Sequence, residues 1–314
     1  MEGDAPFTFV DAHLHYVDFL QKSDGMTCLL EQMDAANVSH AVLFGMPVMK
    51  EWSEWEHYEP FYYLGDNSRC YYYSMTDAIV GLHWQSLPEE QQKRIIPLLC
   101  GFSPVDRYAV QQVERTLDLF PDVFRGIGEI LLRHDDLTNL LLSQPPRPNH
   151  PALRHVYRLA GKRNLPVLLH HDFSSVWRRD GVYLPELREA VEQFPETTFI
   201  WAHAGYSRRI DVPNHTDHVE EMLSRYTNLY VDLSWLIFDE VMYRENQVSR
   251  RWHDLCERFS DRLCLGSDLT GHFDELPEKM WRYAPFLQTL SDSTRENLAH
   301  RTAKRVYGIS PKED

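Results

Sequence analysis

Short apolar runs alternate with amphipathic segments along most of this sequence. The runs have the continuous hydrophobicity of strands that are buried on both faces. They are Thr8–His13, His40–Phe44, Ile95–Phe102, Phe124–Leu131, Pro166–His170, Thr198–His203, Leu229–Leu233 and Leu263–Asp268. The segments between them carry apolar residues at helical spacing. They are Met26–Ala36, Val105–Phe120, Ala152–Lys162, Leu184–Phe194, His218–Tyr226 and Val248–Phe259.

The spacing of these elements predicts the fold. From the third strand onwards, the strand starts lie about thirty to forty residues apart, which is the length of a βα unit. Eight strands alternating with helices predict an α/β protein, a (β/α)8 TIM-like barrel. An open, doubly wound sheet is the alternative, but no glycine-rich phosphate loop follows any strand. The 314 residues suit one such barrel, and no linker divides them, so residues 1–314 are predicted to form one domain.

A long aromatic-rich insertion, residues 46–94, interrupts this rhythm after the second strand. A segment of this length is predicted to be a cap over the C-terminal mouth of the barrel, where barrel active sites form. Its aromatic rings, Trp52 and Trp55 among them, would then line a substrate pocket. The alternative is that the rings form a small core within the cap itself. Residues 133–150, a second interruption, are predicted to form a loop.

The charge balance narrows the choice of partners. Forty-seven acidic and 32 basic residues give a formal net charge of −15, which argues against binding to nucleic acid or to an anionic membrane surface. A small molecule is the expected partner, and a homo-oligomer is left open. The five cysteines are scattered, no signal peptide opens the chain, and no apolar run reaches membrane-spanning length. These features predict a cytoplasmic protein.

Histidine and carboxylate side chains stand at the ends of the predicted strands. His13 and His15 end the first strand, and residues two apart in a strand point to the same side. With 16 histidines in the chain, this pair alone is weak evidence for a metal site. Later strands also end in residues of ligand type, namely Glu129, His170, His203 and Asp268. In a parallel barrel these ends meet at one mouth, and buried strands exclude such side chains unless they are paired or bind metal.

The motifs around these residues resemble those of the metal-dependent amidohydrolase superfamily, in particular its amidohydrolase-related branch. The matching motifs are His-x-His at 13–15, Pro-x-x-x-His at 166–170, Ala-His-Ala-Gly at 202–205, Gly-Ser-Asp at 266–268 and the closing helix at 297–308. The resemblance covers the chain except for residues 46–94. It implies a metal-bearing TIM-like barrel but no single reaction, since hydrolases, decarboxylases and hydratases share this scaffold.

The resemblance also implies roles for individual residues. His13, His15 and His170 would bind a divalent ion, with zinc the expected metal, and one ion is expected although two are open. Asp268 would bind the same ion and accept a proton from the attacking water. His203 would polarise the substrate carbonyl or bind a second ion. The neighbouring His171 is the alternative to His170, but it should face the other way. The remaining candidates near strand ends are predicted to lie at the surface or behind the ligands: His134, His272 and Asp232.

Glu129 decides between one metal ion and two. The carboxylated lysine that bridges two ions in some members of the superfamily is excluded here, because no lysine occurs between Lys93 and Lys162. Gly-Ile-Gly-Glu-Ile at 126–130 resembles the strand of TatD-type enzymes in which glutamate bridges instead. The alternative is that Glu129 only hydrogen-bonds a ligating histidine or the substrate.

The expected function is hydrolysis of a small amide, ester or lactone. A non-oxidative decarboxylase is the alternative. A TatD-like nuclease is disfavoured by the acidic charge and the aromatic cap, and a non-catalytic barrel is disfavoured by the complete ligand set. Two arginine pairs, Arg178-Arg179 and Arg208-Arg209, follow strands five and six. At least one of these arginines, Arg178 or Arg208 foremost, is predicted to bind an anionic substrate group by bidentate hydrogen bonds. The alternative is that all four are solvated or paired with acids.

Overall fold

The computed structural model describes residues 7–141 and 144–309, apart from the side chain of Asn139. The strands within this part of the chain are β1 (Phe9–His15), β2 (Val38–Phe44), β3 (Val48–Lys50), β4 (Cys70–Tyr72), β5 (Ile95–Leu98), β6 (Ile127–Leu131), β7 (Val167–His170), β8 (Phe199–Trp201), β9 (Leu229–Asp232), β10 (Tyr243–Arg244), β11 (Gln247–Val248) and β12 (Leu263–Cys264). The α-helices are α1 (Gly25–Ala36), α2 (Met75–Gln85), α3 (Glu89–Gln92), α4 (Ala109–Leu119), α5 (Leu153–Arg163), α6 (Leu184–Gln193), α7 (His215–Arg225), α8 (Arg250–Phe259), α9 (Leu276–Trp281), α10 (Ala284–Leu287), α11 (Asp292–Glu296) and α12 (Thr302–Val306).

The parallel strands follow one another in a ring. One sheet has the order β1-β2-β5 and the other has the order β12-β9-β8-β7-β6. Backbone hydrogen bonds join the two sheets on one side, from Gly128 N to Leu99 O (2.7 Å), and on the other side, from Asp268 N to His13 O (2.8 Å). Each of the eight apolar runs contains one of these strands, and the predicted TIM-like barrel is confirmed.

The interior of the barrel is filled by apolar side chains from most of these strands. The cluster consists of Val10, Ala12, Val42, Phe44, Ile96, Leu98, Cys100, Leu168, Ile200, Ala202, Cys264, Ala303, Tyr307 and Ile309. Val10 and Ala12 point into this cluster, and the register of β1 against β2 shifts between Asp11 and Leu14. Such a bulge re-aims the following side chains. It lets the odd-numbered His13 and His15 face the mouth above the apolar filling.

The aromatic-rich stretch divides into two parts. Its first part forms an antiparallel hairpin, β3 with β4, whose connecting segment reaches the mouth of the barrel. Its second part contains α2, which lies against β5 and therefore belongs to the barrel layer. The sequence did not reveal α2 because its apolar residues lie among the many aromatic residues of the stretch.

A buried lysine holds the hairpin loop together. The side chain of Lys50 is fully buried, and its ammonium group lies 2.7 Å from the Asp66 carboxylate. The same nitrogen donates to the carbonyl oxygens of Tyr63 (3.0 Å) and Ser68 (2.6 Å). A buried charge is stable only when it is paired and hydrogen-bonded in this way. Lys50 thus fixes the segment that carries Tyr62 and Tyr63 to the mouth.

No helix among residues 7–141 and 144–309 is long and apolar enough to cross a membrane.

Candidate active site

A cavity of about 150 Å³ opens at the C-terminal mouth of the barrel. An apolar cavity of roughly this volume accommodates one benzene-sized ring. Its lining combines strand ends with loop residues: His15, Phe19, Met46, Tyr62, Tyr63, Glu129, Leu131, His134, Leu137, His170, His203, Arg208, Trp235, Asp268 and Thr270. Seven of the residues that the sequence singled out are therefore brought to this cavity, with His13 directly behind them: His15, Glu129, His134, His170, His203, Arg208 and Asp268.

His13 is fully buried, and its two nitrogens have different surroundings. Nδ1 lies 2.6 Å from Oδ2 of Asp232, so Nδ1 carries a proton and donates it to the carboxylate. When the ring is neutral, its lone pair is therefore on Nε2, which is buried and has no hydrogen-bond partner among the described residues. Nε2 lies 3.3 Å from Oδ1 of Asp268 and 3.6 Å from Oε1 of Glu129. An orphaned imidazole lone pair that faces two carboxylates fits a bound cation.

His15 and Asp268 complete one group of ligand-type atoms with His13. Nε2 of His15 lies 3.6 Å from Oδ1 of Asp268 and 3.3 Å from Oε2 of Glu129. Nδ1 of His15 lies 3.0 Å from the carbonyl oxygen of Gly45 and donates to it, which again leaves the lone pair on Nε2. Asp268 has a left-handed backbone (φ 58°). Since such a residue turns the chain sharply, the Asp268 carboxylate is carried back over His13.

The carboxylates of Glu129 and Asp268, which both face His13, are stabilised as anions. Burial opposes ionisation of Glu129, but the neighbouring His13, His15 and His170 outweigh it and hold the pKa of Glu129 well below its ordinary value. Burial likewise opposes ionisation of Asp268, and His203 and His13 lower its pKa. Two buried anions at one point require positive charge, which protons on the histidines or a metal ion can supply.

His170 also faces the cavity, but it belongs to a different group of side chains. Its Nδ1 lies 3.1 Å from Oε1 of Glu129, and its Nε2 lies 3.2 Å from Oδ1 of Asp172. Burial lowers the pKa of His170, but Asp172 and Glu129 outweigh burial and raise it to about 10. The adjacent His171 points away from the cavity, and its Nε2 donates to the carbonyl oxygen of Tyr183 (3.0 Å).

A chain of hydrogen bonds supports His203 from behind. Oγ of Ser234 lies 2.9 Å from Nδ1 of His203 and 2.9 Å from Oδ2 of Asp232. The hydroxyl has one proton, which goes to the carboxylate, so Oγ accepts a hydrogen bond from Nδ1–H of His203. Nε2 of His203 therefore carries the lone pair, and it lies 3.6 Å from Oε1 of Glu129.

Of the three residues expected either at the surface or behind the ligands, two are buried. Asp232 is fully buried and orients His13, while His134 is buried in the cavity wall. The expectation for His272 agrees with the structure, because its side chain is 61% exposed and pairs with Asp24 (3.0 Å). Asp232 ends an apolar strand as Asp268 does, and this position made it a candidate in the sequence. Ser234 and Asp172 carried no comparable signal, since their roles depend on loop geometry.

The two arginine pairs lie in different surroundings. Arg208 lines the cavity, where its guanidinium group lies 5.4 Å from the Trp235 ring centroid and 3.4 Å from Oδ2 of the buried Asp136. It also donates to the hydroxyl oxygen of Tyr62 (3.3 Å). Arg178 is exposed and pairs with Asp180 (2.6 Å). The structure therefore brings Arg208 to the cavity but not Arg178.

The tryptophans expected in the pocket lie outside it. Trp52 is 58% exposed and Trp55 is 80% exposed, and neither lines the cavity. The hairpin turns them to the outside because the buried Lys50 fixes the other end of the loop over the mouth. Tyr62 and Tyr63 from the same stretch line the cavity instead, together with Trp235 from the loop after β9.

A parallel barrel with histidines and carboxylates gathered at its C-terminal mouth defines the class of molecule. The chain belongs to the amidohydrolase family: a model with the description "Amidohydrolase" matches residues 124–309, more than half of the chain. This agrees with the resemblance of the strand-end motifs. No curated protein matches the sequence.

Several solved structures share the fold. A TIM-barrel protein from Bordetella bronchiseptica is 14% identical with a TM-score of 0.60, over 96% of this chain and 99% of that one. An amidohydrolase from Burkholderia multivorans with bound zinc is 14% identical with a TM-score of 0.58, over 96% of this chain and 100% of that one. The 2,6-dihydroxybenzoate decarboxylase from Rhizobium is 14% identical with a TM-score of 0.54, over 96% of this chain and 99% of that one. At these identities the likeness concerns the fold alone.

Proposed function

We propose that this protein is a metal-dependent hydrolase that uses an activated water on a small amide, ester or lactone. The observation that carries the proposal is the position of Asp268. Its carboxylate is 14% exposed at the cavity, and Oδ1 lies 3.3 Å and 3.6 Å from the Nε2 lone pairs of His13 and His15. One divalent ion, with zinc expected, would be held by these three residues.

The ion, when bound, would act as a Lewis acid and lower the pKa of water toward neutrality. The protein side chains supply the rest of the chemistry. Asp268, which is held as an anion, accepts the proton of the attacking water. His203 presents a lone pair at Nε2 to the same cavity and can act as a second proton acceptor. Arg208 binds an anionic group of the substrate against the Trp235 ring.

The position of Glu129 supports a contribution to metal binding. Its carboxylate oxygens lie 3.1–3.6 Å from nitrogens of His13, His15, His170 and His203. With these neighbours, Glu129 would either bridge two ions or bind one ion directly. His170, whose Nδ1 lies 3.1 Å from Oε1 of Glu129, would be a further ligand of the ion held by His13, His15 and Asp268. Homo-oligomerisation and a cytoplasmic location stay predictions from the sequence.

Non-oxidative decarboxylation is the second candidate. Arg208 favours this reaction because its guanidinium group lines the cavity and can bind the carboxylate of the substrate. Product analysis separates the two reactions. The purified protein is analysed for bound metal and then screened against lactones, anilides and aromatic acids. Hydrolysis releases an acid with an alcohol or amine, whereas decarboxylation releases carbon dioxide from an aromatic acid. A metal-loaded protein that turns over none of these classes would contradict the proposal.

A further inference from the structure

His134 faces the cavity with a proton position that the backbone fixes. The amide N–H of Leu137 donates to Nδ1 of His134 (3.1 Å) and shares the same proton with the His134 carbonyl oxygen (3.1 Å). A backbone amide can only donate, so Nδ1 of His134 must carry a lone pair. In a neutral imidazole the proton is then on Nε2.

The surroundings of the ring keep it neutral and leave only its edge free. The His134 ring stacks on the His170 ring at a centroid distance of 4.4 Å, and Tyr63 approaches it edge-on at 6.1 Å. Because Nδ1 accepts the Leu137 amide hydrogen bond, the ring carries at most one proton and is neutral. Among the described residues, none accepts a hydrogen bond from Nε2, and the ring lines the cavity.

This proton position excludes an otherwise attractive second metal site. Ligand-type atoms of His134, His170 and Asp172 lie within 4.8 Å of one another. A neutral histidine binds a metal ion through its unprotonated nitrogen. The unprotonated nitrogen of His134 is occupied by the Leu137 amide, and its other nitrogen carries a proton. His134 is thus a donor toward the cavity and cannot ligate there as a neutral ring.

His203, which lines the same cavity, has the opposite arrangement. Its Nδ1–H donates to Oγ of Ser234, so its Nε2 accepts. A molecule in the cavity therefore meets one imidazole that accepts a proton and one that donates a hydrogen bond. An acyl group satisfies both, since its carbonyl oxygen is an acceptor and the water that attacks it has protons to lose.

We propose that His134 is a catalytic residue that donates a hydrogen bond from Nε2 to the carbonyl oxygen of an acyl substrate; this rests on the proposed hydrolase function. Water forms a bond to the carbonyl carbon and gives a proton to Asp268, while the π electron pair of the carbonyl moves onto the oxygen bound by His134. Collapse of this intermediate restores the carbonyl and breaks the bond to the leaving group, which takes the proton from Asp268. A preorganised donor stabilises the negative oxygen in this step.

The test reads the proton position and the hydrogen bond separately from turnover. In the zinc-loaded full-length protein labelled with ¹⁵N-histidine, His134 is assigned by comparison with His134→Gln, and the exposed His155→Gln is the control. We expect the Nε2–H form for His134 and a shift of its Nε2 signal on addition of benzamide. An Nδ1–H form would overturn the proposal, whether or not the protein is a hydrolase.

Variants then test the hydrogen bond itself. His134→Leu removes the donor, whereas His134→Gln retains an N–H donor at a similar distance. We expect benzamide to bind at least about tenfold more weakly to His134→Leu than to the wild type, and His134→Gln to recover most of the affinity. Equal binding to all three proteins, or no binding to the wild type, would overturn the role of His134. If the protein hydrolyses nothing but the ¹⁵N signal and the benzamide affinities are as expected, the role of His134 as a donor stands and the proposed hydrolase function is wrong.

Discussion

The cavity has two walls that differ in origin and in chemistry. The inner wall consists of strand ends, with His13, His15, Glu129 and Asp268 packed so tightly that their charges must balance within a few ångströms. The outer wall consists of loop residues: Tyr62, Arg208 and Trp235 are partly open to solvent, and Tyr63 is buried beside them. In the proposed function, the inner wall would supply the metal ligands and the proton acceptor, and the outer wall would bind an anionic group of the substrate.

Asp268→Asn should have the largest effect, because it removes the proton acceptor of the inner wall. Asparagine can still offer an oxygen to a metal ion but cannot take a proton. We expect kcat to fall by a factor on the order of 10³, measured at saturating substrate together with metal content. The exposed Asp274→Asn is the matched control. Near-normal kcat in a metal-loaded Asp268→Asn protein would show that another group accepts the proton.

Glu129→Gln tests whether the centre of the inner wall binds metal directly. Glutamine keeps the shape of the side chain but loses its negative charge. We expect zinc to bind about 10–100-fold more weakly, as measured by competition with a chelator and by metal stoichiometry. The exposed Glu31→Gln should bind zinc as the wild type does. One tightly held ion per chain in both wild type and Glu129→Gln would exclude a bridging role.

The outer wall should affect binding more than turnover. Arg208→Ala removes the guanidinium group from the cavity, while Arg209 still pairs with Asp136 (2.5 Å). For an anionic substrate we expect KM to rise about 10–100-fold with a much smaller change in kcat. Arg178→Ala is the matched control, since Arg178 pairs with Asp180 outside the cavity. If the two variants behave alike, the outer wall does not recognise an anionic group through Arg208.

The two walls also differ in how far the sequence predicts them. Strand ends occupy fixed places in a parallel barrel, so His13, Glu129 and Asp268 could be placed at one mouth from the order of apolar runs. Loop side chains depend on packing that the sequence pattern does not encode. Trp52 and Tyr63 belong to one aromatic stretch, yet the buried Lys50 directs Tyr63 inwards while Trp52 is exposed. The orientation of His134 could not be predicted for the same reason, because it follows from a hydrogen bond within its own turn.

The smallest expected effect concerns His215, which supports the inner wall from behind. Its protonation should change the free energy of unfolding. This buried side chain donates from Nε2 to the carbonyl oxygen of Ala204 (2.7 Å), next to His203. Burial lowers the pKa of His215 to about 4, below the ordinary value of about 6.5. The unfolded chain therefore binds the proton more readily, and the stability from neutral His215 is present above pH ~6.5 and lost as the pH falls toward 4. We expect the free energy of unfolding to fall by about 2 kcal/mol more in the wild type than in His215→Gln between pH 7 and pH 5. Urea unfolding at the two pH values measures this difference, with His155→Gln as the exposed control. Equal pH dependence in wild type and His215→Gln would mean that His215 can be protonated without disturbing the turn that carries His203.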